Sequence, residues 1–379
     1  MNIVYTGLFA YPDSNANSLR VKSVIGLLES YGHKVTVLPG LTSKSNTCTS
    51  EYNNVIPIDE YTSGVFSRVS GIRGMFVGDN TIDYLEKMAE KPDLIILYGT
   101  ALGYLLRLLS FTKKNNIKLI LDVVEWYDPR HLPGGLFGPY AIANELSMRF
   151  FVKKANGLIV ISEYLREYYE TCNRKIFLLP PLFPKATNID FNKHTNEVLF
   201  LCYVGTPGKK ENFVVLCDAL ELAYKNKIKF CINFVGFDKD FIKNNKYTFL
   251  NDQSVCNFFG RLDNSEVKKI VAESHYSIFF RPNLRFSNAG FPSKIAESFS
   301  LGTSVITNNF SDIKKYIKNN KNGYIVEGSV DSLKVYELIC QLALDISKYS
   351  LLQKNVLESY ESYFSLSSHQ KFKNFIDEI

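Results

Sequence analysis

Short apolar runs alternate with longer amphipathic stretches along the whole chain, and this alternation predicts an α/β fold. In the first half the predicted strands are Asn2–Thr6, Lys34–Leu38, Asp93–Tyr98, Lys118–Val123 and Gly157–Ile161. Between them Ser18–Tyr31, Ile82–Glu90, Ala101–Asn115, Ala141–Lys154 and Glu163–Thr171 carry apolar residues at helical spacing. Gly32 follows the first of these helices, where a positive φ ends a helix at little cost. The pattern restarts in the second half, with strands predicted at Leu199–Val204, Lys229–Val235, Asn257–Phe259, Tyr276–Phe280, Ser304–Thr307 and Tyr324–Val326. Helices are predicted at Asn212–Lys225, Ser265–Ser274, Pro292–Ser300 and Asp312–Lys318. Strands this apolar, joined by helices, make doubly wound parallel sheets. The expectation is two Rossmann-like domains, residues 1–183 and 184–351, joined at the Pro-rich, aperiodic segment from Pro180 to Asn188. The end of the chain, from about residue 352 to 379, is predicted helical. Its apolar positions Val356, Tyr360, Phe364 and Phe372 need a packing partner, for which the first domain is one choice.

Composition narrows the class. A length of 379 residues suits two domains, and 28 Phe with 23 Tyr exclude a disordered chain. The net charge of +6 is spread evenly, with 20 basic and 17 acidic residues up to Lys185 and 24 and 21 after it. Neither half carries the basic field of a nucleic-acid binder, so no nucleic-acid partner is expected; a weak attraction to anionic membranes or phosphorylated substrates is compatible. The seven cysteines form no CxxC and no His-spaced cluster, and Cys202 and Cys231 lie in apolar runs. That usage reads as buried thiols in a reducing compartment. The opening MNIVYTGLFAYP lacks the basic region and long apolar core of a signal peptide, and no uncharged stretch has membrane length. The expected location is the cytoplasm, at most peripheral to the inner face of the membrane.

The most informative segment is GFPSKIAESFSLGTSVIT, from Gly290 to Thr307. Gly290 permits close backbone approach, and Phe291 and Pro292 open a helix whose free N–H groups suit an anion. Lys294 lies in its first turn, where a cation is disfavoured by about 0.3–1 kcal/mol unless an anion sits between it and the helix end. Glu297 follows one turn later on the same face. A carboxylate there suits a vicinal diol such as a ribose, at about 1.5–3 kcal/mol per charged hydrogen bond. A surface Lys–Glu pair is the plainer alternative.

Elsewhere, LCYVGTPGKKENFVVLCDAL turns at Gly205 and places Lys209 and Lys210 before a helix. A phosphate-binding P-loop is excluded, because it needs Gly at Tyr203 and Ser or Thr at Lys210. In FFGRLDNSEVKKIVAESHYSIFFRP, Arg281 ends a strand and either clamps a diphosphate or pairs locally. LILDVVEWYDPRHLPGG offers Asp122, Glu125, Asp128 and His131 just after a strand. Asp238-Lys239-Asp240 has the DxD spacing of a metal-diphosphate site but reads as a solvated turn, and no other carboxylate cluster has ligand spacing; no metal is expected.

The Gly290–Thr307 segment resembles the retaining GT-B glycosyltransferases of family 4. Their hallmark is two glutamates eight apart, in and before a motif FP-S/T-K-x-x-E followed by x4-G-x-P/S-V-I. The resemblance implies a GT-B fold, with ligands in a cleft between two Rossmann-like domains. It implies that Glu297 binds the ribose of the donor nucleotide. Ala289 stands where the first glutamate reaches the donor sugar, and Asn288 offers a polar group next door. Asn288, Ala289, Gly290 and Phe291 form the donor loop. Thr206 replaces a typical Arg after Gly205, while Lys210 contacts the diphosphate, with Lys209 the competing choice. Arg261 and Leu262 become base-contacting positions. YTGLFAYPDSNANSLRVKSVIGLLESYGHKV resembles the family's opening strand and loop, with Gly7 at the strand end by the donor phosphates. Arg20 is then a phosphate or acceptor ligand, or a plain helix-surface arginine. Glu125 is the nearest match to a histidine that relatives place near the reacting sugar, and is preferred to His131, which is assigned to the acceptor side. Glu125, Lys210 and Glu297 are the implied catalytic set.

The implied reaction is metal-independent transfer of a hexosyl or N-acetylhexosaminyl group from a nucleotide donor, UDP-linked, with retention. The acceptor is a glycan, a lipid-linked molecule or a protein, as in surface polysaccharide assembly. The nucleotide sugar is a co-substrate and no cofactor is implied. The residues at 289 and 206 also admit a non-catalytic glycosyltransferase-like partner subunit, and the same fold serves sugar-nucleotide epimerases and phosphorylases. Val69–Asn80 and Leu132–Lys154 mix apolar, aromatic and basic residues, as expected of a surface for lipid-linked acceptors or of core packing.

Overall fold

A computed structural model describes residues 1–12, 15–41, 54–61, 77–172, 174–186, 197–208, 210–242 and 246–379. Chain packing divides it into two compact units. One is Met1–Leu182 with Asn288–Phe291 and His369–Ile379; the other is Phe183–Ser287 with Pro292–Ser368.

The first unit runs β1 (Asn2–Ala10), α1 (Ala16–Ser30), β2 (Lys34–Leu41), α2 (Asp79–Lys87), β3 (Leu94–Tyr98), α3 (Leu102–Asn115), β4 (Lys118–Val123), α4 (Pro139–Leu146), β5 (Gly157–Val160), α5 (Glu163–Glu170) and β6 (Lys175–Leu178). Its sheet has the order β2-β1-β3-β4-β5-β6 and is parallel throughout. Residues 54–60 add backbone bonds to the outer side of β2, through Ile56 N to Val37 O and Glu60 N to Gly40 O. Strand order reverses between β1 and β3, which opens a crevice at their carboxyl ends.

The second unit runs β7 (Leu199–Val204), α6 (Phe213–Lys225), β8 (Phe230–Val235), β9 (Cys256–Phe258), α7 (Asn264–Ala272), β10 (Tyr276–Ile278), α8 (Arg285–Ala289), α9 (Ser293–Ser300), β11 (Ser304–Asn308), α10 (Ile313–Tyr316), β12 (Gly323–Val326), α11 (Ser332–Leu344) and α12 (Tyr349–Tyr363). The last residues of α8 pack with the first unit. The sheet order β12-β11-β10-β7-β8-β9 is again parallel, with its reversal between β7 and β10. Both sheets thus have the doubly wound topology expected of the apolar runs.

The chain passes from the first unit to the second between Leu182 and Phe183, within the Pro-rich segment, whose residues 179–183 are buried, with Leu179 and Leu182 in the first unit's core. Two features differ from the sequence expectation. The terminal stretch is two helices rather than one. Phe364 to Gln370 interrupt it; α12 stays in the second unit, where the Tyr360 hydroxyl donates to Phe183 O at 2.9 Å. The last helix, α13 (Lys371–Asp377), packs Phe372, Phe375 and Ile376 into the first unit's core. Gly157 admits it, since a Cβ there would lie 2.5 Å from Ile379 Cδ1. Finally, β1 runs three residues past Gly7, so Gly7 lies inside the strand. Its φ is +149°, and a Cβ would fall 2.6 Å from Tyr98 O. Close packing of β1 on β3 accounts for this glycine.

Candidate functional site

In the second unit three neighbouring strands end in glycine: Gly205 after β7, Gly236 after β8 and Gly260 near the end of β9, with φ of +113°, +110° and +56°. Gly236 packs directly on Gly205, 3.0–3.3 Å from a Cβ at that site to the Gly205 backbone. The Thr206 hydroxyl donates to Gly236 O at 3.0 Å, so this side chain ties the two turns together. These turns leave the carboxyl edge of the sheet thin beside the β7/β10 reversal.

A charged cluster gathers there. Lys294 Nζ, from the first turn of α9, donates to Glu211 Oε1 at 2.6 Å. The Tyr203 hydroxyl donates to Glu211 Oε2, and Arg281 Nη2 lies 4.0 Å from Oε1. Lys294 Nζ also stands 4.9 Å from the Tyr203 ring centre and 5.2 Å from that of Phe279. Asn308, at the end of β11, holds the backbone of Arg281 from both sides, accepting from its N at 2.9 Å and donating to its O at 2.8 Å. No side chain caps α9. Burial lowers the Lys294 pKa, and Glu211 acts against that shift. Glu297 lies one turn further along α9, half-buried, and burial raises its carboxyl pKa against the pull of Lys268 and Lys294.

The structure therefore brings together Gly205, Arg281, Lys294 and Glu297 of the residues read from the sequence. It adds Glu211, Tyr203 and Asn308, which sequence reasoning missed. Glu211 follows two lysines and looks solvated until Lys294, 83 positions away, is seen beside it. Lys210 is half-buried in the turn next to Glu211; Lys209 lies outside the described residues. Arg261 is exposed and Leu262 half-buried after Gly260. Asn288, Ala289, Gly290 and Phe291 pack with the first unit, where Ala289 O accepts from Ser162 Oγ at 2.8 Å. Asp238 to Asp240 form an exposed turn, and among the described residues no three His, Cys, Asp or Glu converge as a metal site.

The first unit holds a pocket of about 260 Å³ at its own strand reversal. It is lined from the ends of β1, β3 and β4 by Leu8, Tyr98 and Glu125, and further out by Tyr127, Tyr140 and Asn144. Tyr98 donates to Asn17 Oδ1 at 2.9 Å; burial of the Tyr127 hydroxyl raises its phenol pKa, and the nearby Glu125 carboxylate, to which it hydrogen-bonds, adds to the shift. Glu125 is thus in the pocket; His131 sits in the short turn Pro129–His131 and does not line it. Arg20 is not a surface ligand. Its side chain is 5% exposed, paired with Asp122 at 2.7 Å, and Nη1 donates to Leu179 O at 2.9 Å. Asp122 also accepts from Tyr5 at 2.7 Å.

Residues 185–355 match the family described as Glycosyl transferases group 1. No curated protein matches the chain. Several solved structures are similar over the full length. Anabaena HepE, in complex with UDP and glucose, has a TM-score of 0.71 at 14% identity, covering 100% of both chains. The pneumococcal O-GlcNAc transferase GtfA, in complex with UDP and GlcNAc, has a TM-score of 0.72 at 11% identity, covering 100% of this chain and 99% of that one. Sucrose-phosphate synthase from Thermosynechococcus elongatus has a TM-score of 0.67 at 13% identity, covering 100% of both chains. The fold is that of the GT-B glycosyltransferases, and the match to the group 1 family model covers residues 185–355 only. The resemblance read from Gly290–Thr307 stands at that level.

Proposed function

We propose that this protein is a retaining, metal-independent glycosyltransferase that takes a hexosyl or N-acetylhexosaminyl group from a UDP-linked donor. The observation that carries this reading is the Lys294–Glu211–Arg281 cluster at the β7/β10 reversal, with Glu297 one turn on along an uncapped helix. The UDP complexes of HepE and GtfA favour uridine as the base. In this reading Glu297 accepts from the ribose hydroxyls. Lys294, Arg281 and Lys210 face the diphosphate, and Gly205, Arg261 and Leu262 border the nucleotide. As the bond from the anomeric carbon to the phosphate oxygen breaks, its electron pair goes to the diphosphate. Preorganised cations meet that charge and supply most of the rate enhancement, the part a metal ion plays elsewhere.

The first unit binds the acceptor, a glycan, lipid-linked or protein hydroxyl, in the pocket at Glu125. The Glu125 carboxylate, oriented by Tyr127, accepts from that hydroxyl and stabilises positive charge at the sugar. Asn288 and residues 289–291 are assigned to donor binding, with the buried Ala289 standing where a glutamate is usual. Calorimetric titration of UDP, GDP and ADP tests the reading. UDP alone is expected to bind, and Glu297→Ala is expected to lose at least about 1.5 kcal/mol. Absence of binding by any of the three overturns it.

A further inference from the structure

We propose that the outer face of the first unit formed by α3 and residues 136–154 docks on an anionic lipid bilayer. This inference rests on the surface itself and is independent of the nucleotide reading. Residues 139–154 are helical almost throughout, α4 passing into a π-helical turn over Ser147–Phe151. Along this run Ile142, Leu146 and Phe150 recur every four residues and are 52%, 39% and 59% exposed. Leu136 and Phe137 precede it, Phe137 at 90% exposed. Packing against the unit is done by Ala141, Ala143, Met148 and Val152 instead. Single exposed apolar residues are ordinary, but five within fifteen positions mark an interaction surface.

Charge indicates what covers it. Beside Phe150 a groove of about 510 Å³ is lined by Leu106, Leu109, Phe151, Lys113, Lys118 and Lys154 among others, and by no carboxylate. Lys154 Nζ lies 4.7 Å from the Phe151 ring centre. The three groove lysines form no ion pair among the described residues. Over residues 101–121 and 131–154 there are seven Lys and Arg against one acidic residue, Glu145, while Arg130 is paired with Asp128 at 2.6 Å. Glu145 is already held by Arg149 at 2.8 Å and Trp126 at 3.0 Å. Arg107 and Lys114 face acids of α2, Asp79 and Glu86. An apolar stripe flanked by uncompensated ammonium groups is the pattern of an interfacial element on anionic lipid. A second copy of the chain is disfavoured as occupant, because a two-fold contact would set this cationic face against itself.

The test is co-sedimentation of the full chain with vesicles of phosphatidylcholine, alone or mixed equally with phosphatidylglycerol. The protein is expected to pellet with the mixed vesicles only and to be released by high salt. A charge-reversed variant, Lys113→Glu/Lys118→Glu/Lys154→Glu, is expected to partition at least about a hundredfold less, at roughly fivefold for each lysine charge removed. Phe137→Ser/Ile142→Ser/Phe150→Ser is expected to lose binding by about tenfold or more. Both variants should keep the wild-type circular dichroism and denaturation midpoint. Failure to pellet with mixed vesicles, equal pelleting with phosphatidylcholine alone, or unchanged binding by folded variants overturns the proposal. So does a dimeric mass by light scattering that the serine variant abolishes, which assigns the face to a second copy.

Discussion

Two carboxylate–cation pairs, one in each unit, look alike in composition and differ in what they leave available. Asp122 and Arg20 are 0% and 5% exposed, and Arg20 spends its donors on Asp122 and on the carbonyls of Leu179 and Pro180. Asp122 takes a further bond from Tyr5. Such a closed network fixes a core and has nothing to offer a ligand. Glu211 and Lys294 are 8% and 20% exposed, and the ammonium gives one N–H to the carboxylate. Arg281 stands at 4.0 Å from the same carboxylate with its side chain 18% exposed. Two cations around one acid leave an excess of positive charge at the surface of the sheet edge. Satisfaction and exposure, rather than residue type, separate scaffold from site.

The largest expected effect tests the closed pair. Asp122→Ala leaves the Arg20 guanidinium buried without its counter-ion and should cost about 3–5 kcal/mol of stability in urea unfolding. UDP affinity should be unchanged. A loss below about 1 kcal/mol would mean that Arg20 is hydrated and that the contrast between the units is false. The open pair should respond the other way. Lys294→Met removes a charged donor from the proposed diphosphate site and should weaken UDP by about 1.5–3 kcal/mol in calorimetry. Its cost in stability should be smaller than that of Asp122→Ala, because Arg281 remains near Glu211. Equal UDP affinity in the variant would assign Lys294 to structure.

The same contrast explains what was legible in the sequence. Lys118–Val123 and Leu199–Val204 were read to their observed ends, because a central parallel strand is apolar on both faces. The edge strand Lys175–Leu178 was missed, being short and partly exposed beside a Pro-rich segment. The break between α12 and α13 was missed because the apolar spacing of Tyr360, Phe364 and Phe372 continues through it. In the site, Lys294 and Glu297 are three residues apart and so visible by local spacing. Glu211 needed a contact across 83 residues, and Arg20 was misread because Asp122 lies 102 residues away. Local geometry is written in sequence spacing; the partner that decides whether a charge is spent is not.

A subtler effect is expected from Glu211→Gln, which keeps the shape of the cluster and removes its negative charge. Burial already lowers the Lys294 pKa, and Glu211 is the largest influence opposing it. Without that carboxylate the ammonium loses its proton at lower pH still. UDP affinity requires the charged form, so the loss of affinity on the alkaline side should begin at lower pH in the variant. Below that limb the variant should bind UDP at least as tightly, since a carboxylate facing phosphate is gone. A pH series of UDP titrations reads both ends. An unmoved alkaline limb would mean that Lys294 is not the group whose charge holds the diphosphate.

The smallest effect concerns Glu297, and its sign separates a binding role from a structural one. Burial raises its pKa in the folded chain, so the native state holds this proton more tightly than the unfolded state. Stability from that difference is full below about pH 4, beneath the unfolded carboxyl value, and is lost as pH rises through the folded value. Above it the buried carboxylate burdens the free protein. Glu297→Gln should therefore match the wild-type Tm near pH 4 and exceed it at neutral pH, by a margin that stops growing once the wild-type group is ionised. Saturating UDP should reverse the order at neutral pH. The ribose hydroxyls then satisfy the charged carboxylate, and wild type gains more from the ligand than the amide does. If the amide variant stays ahead with UDP bound, Glu297 does not hold the ribose. The half-buried carboxylate would then be an unexplained cost in the helix that also carries Lys294.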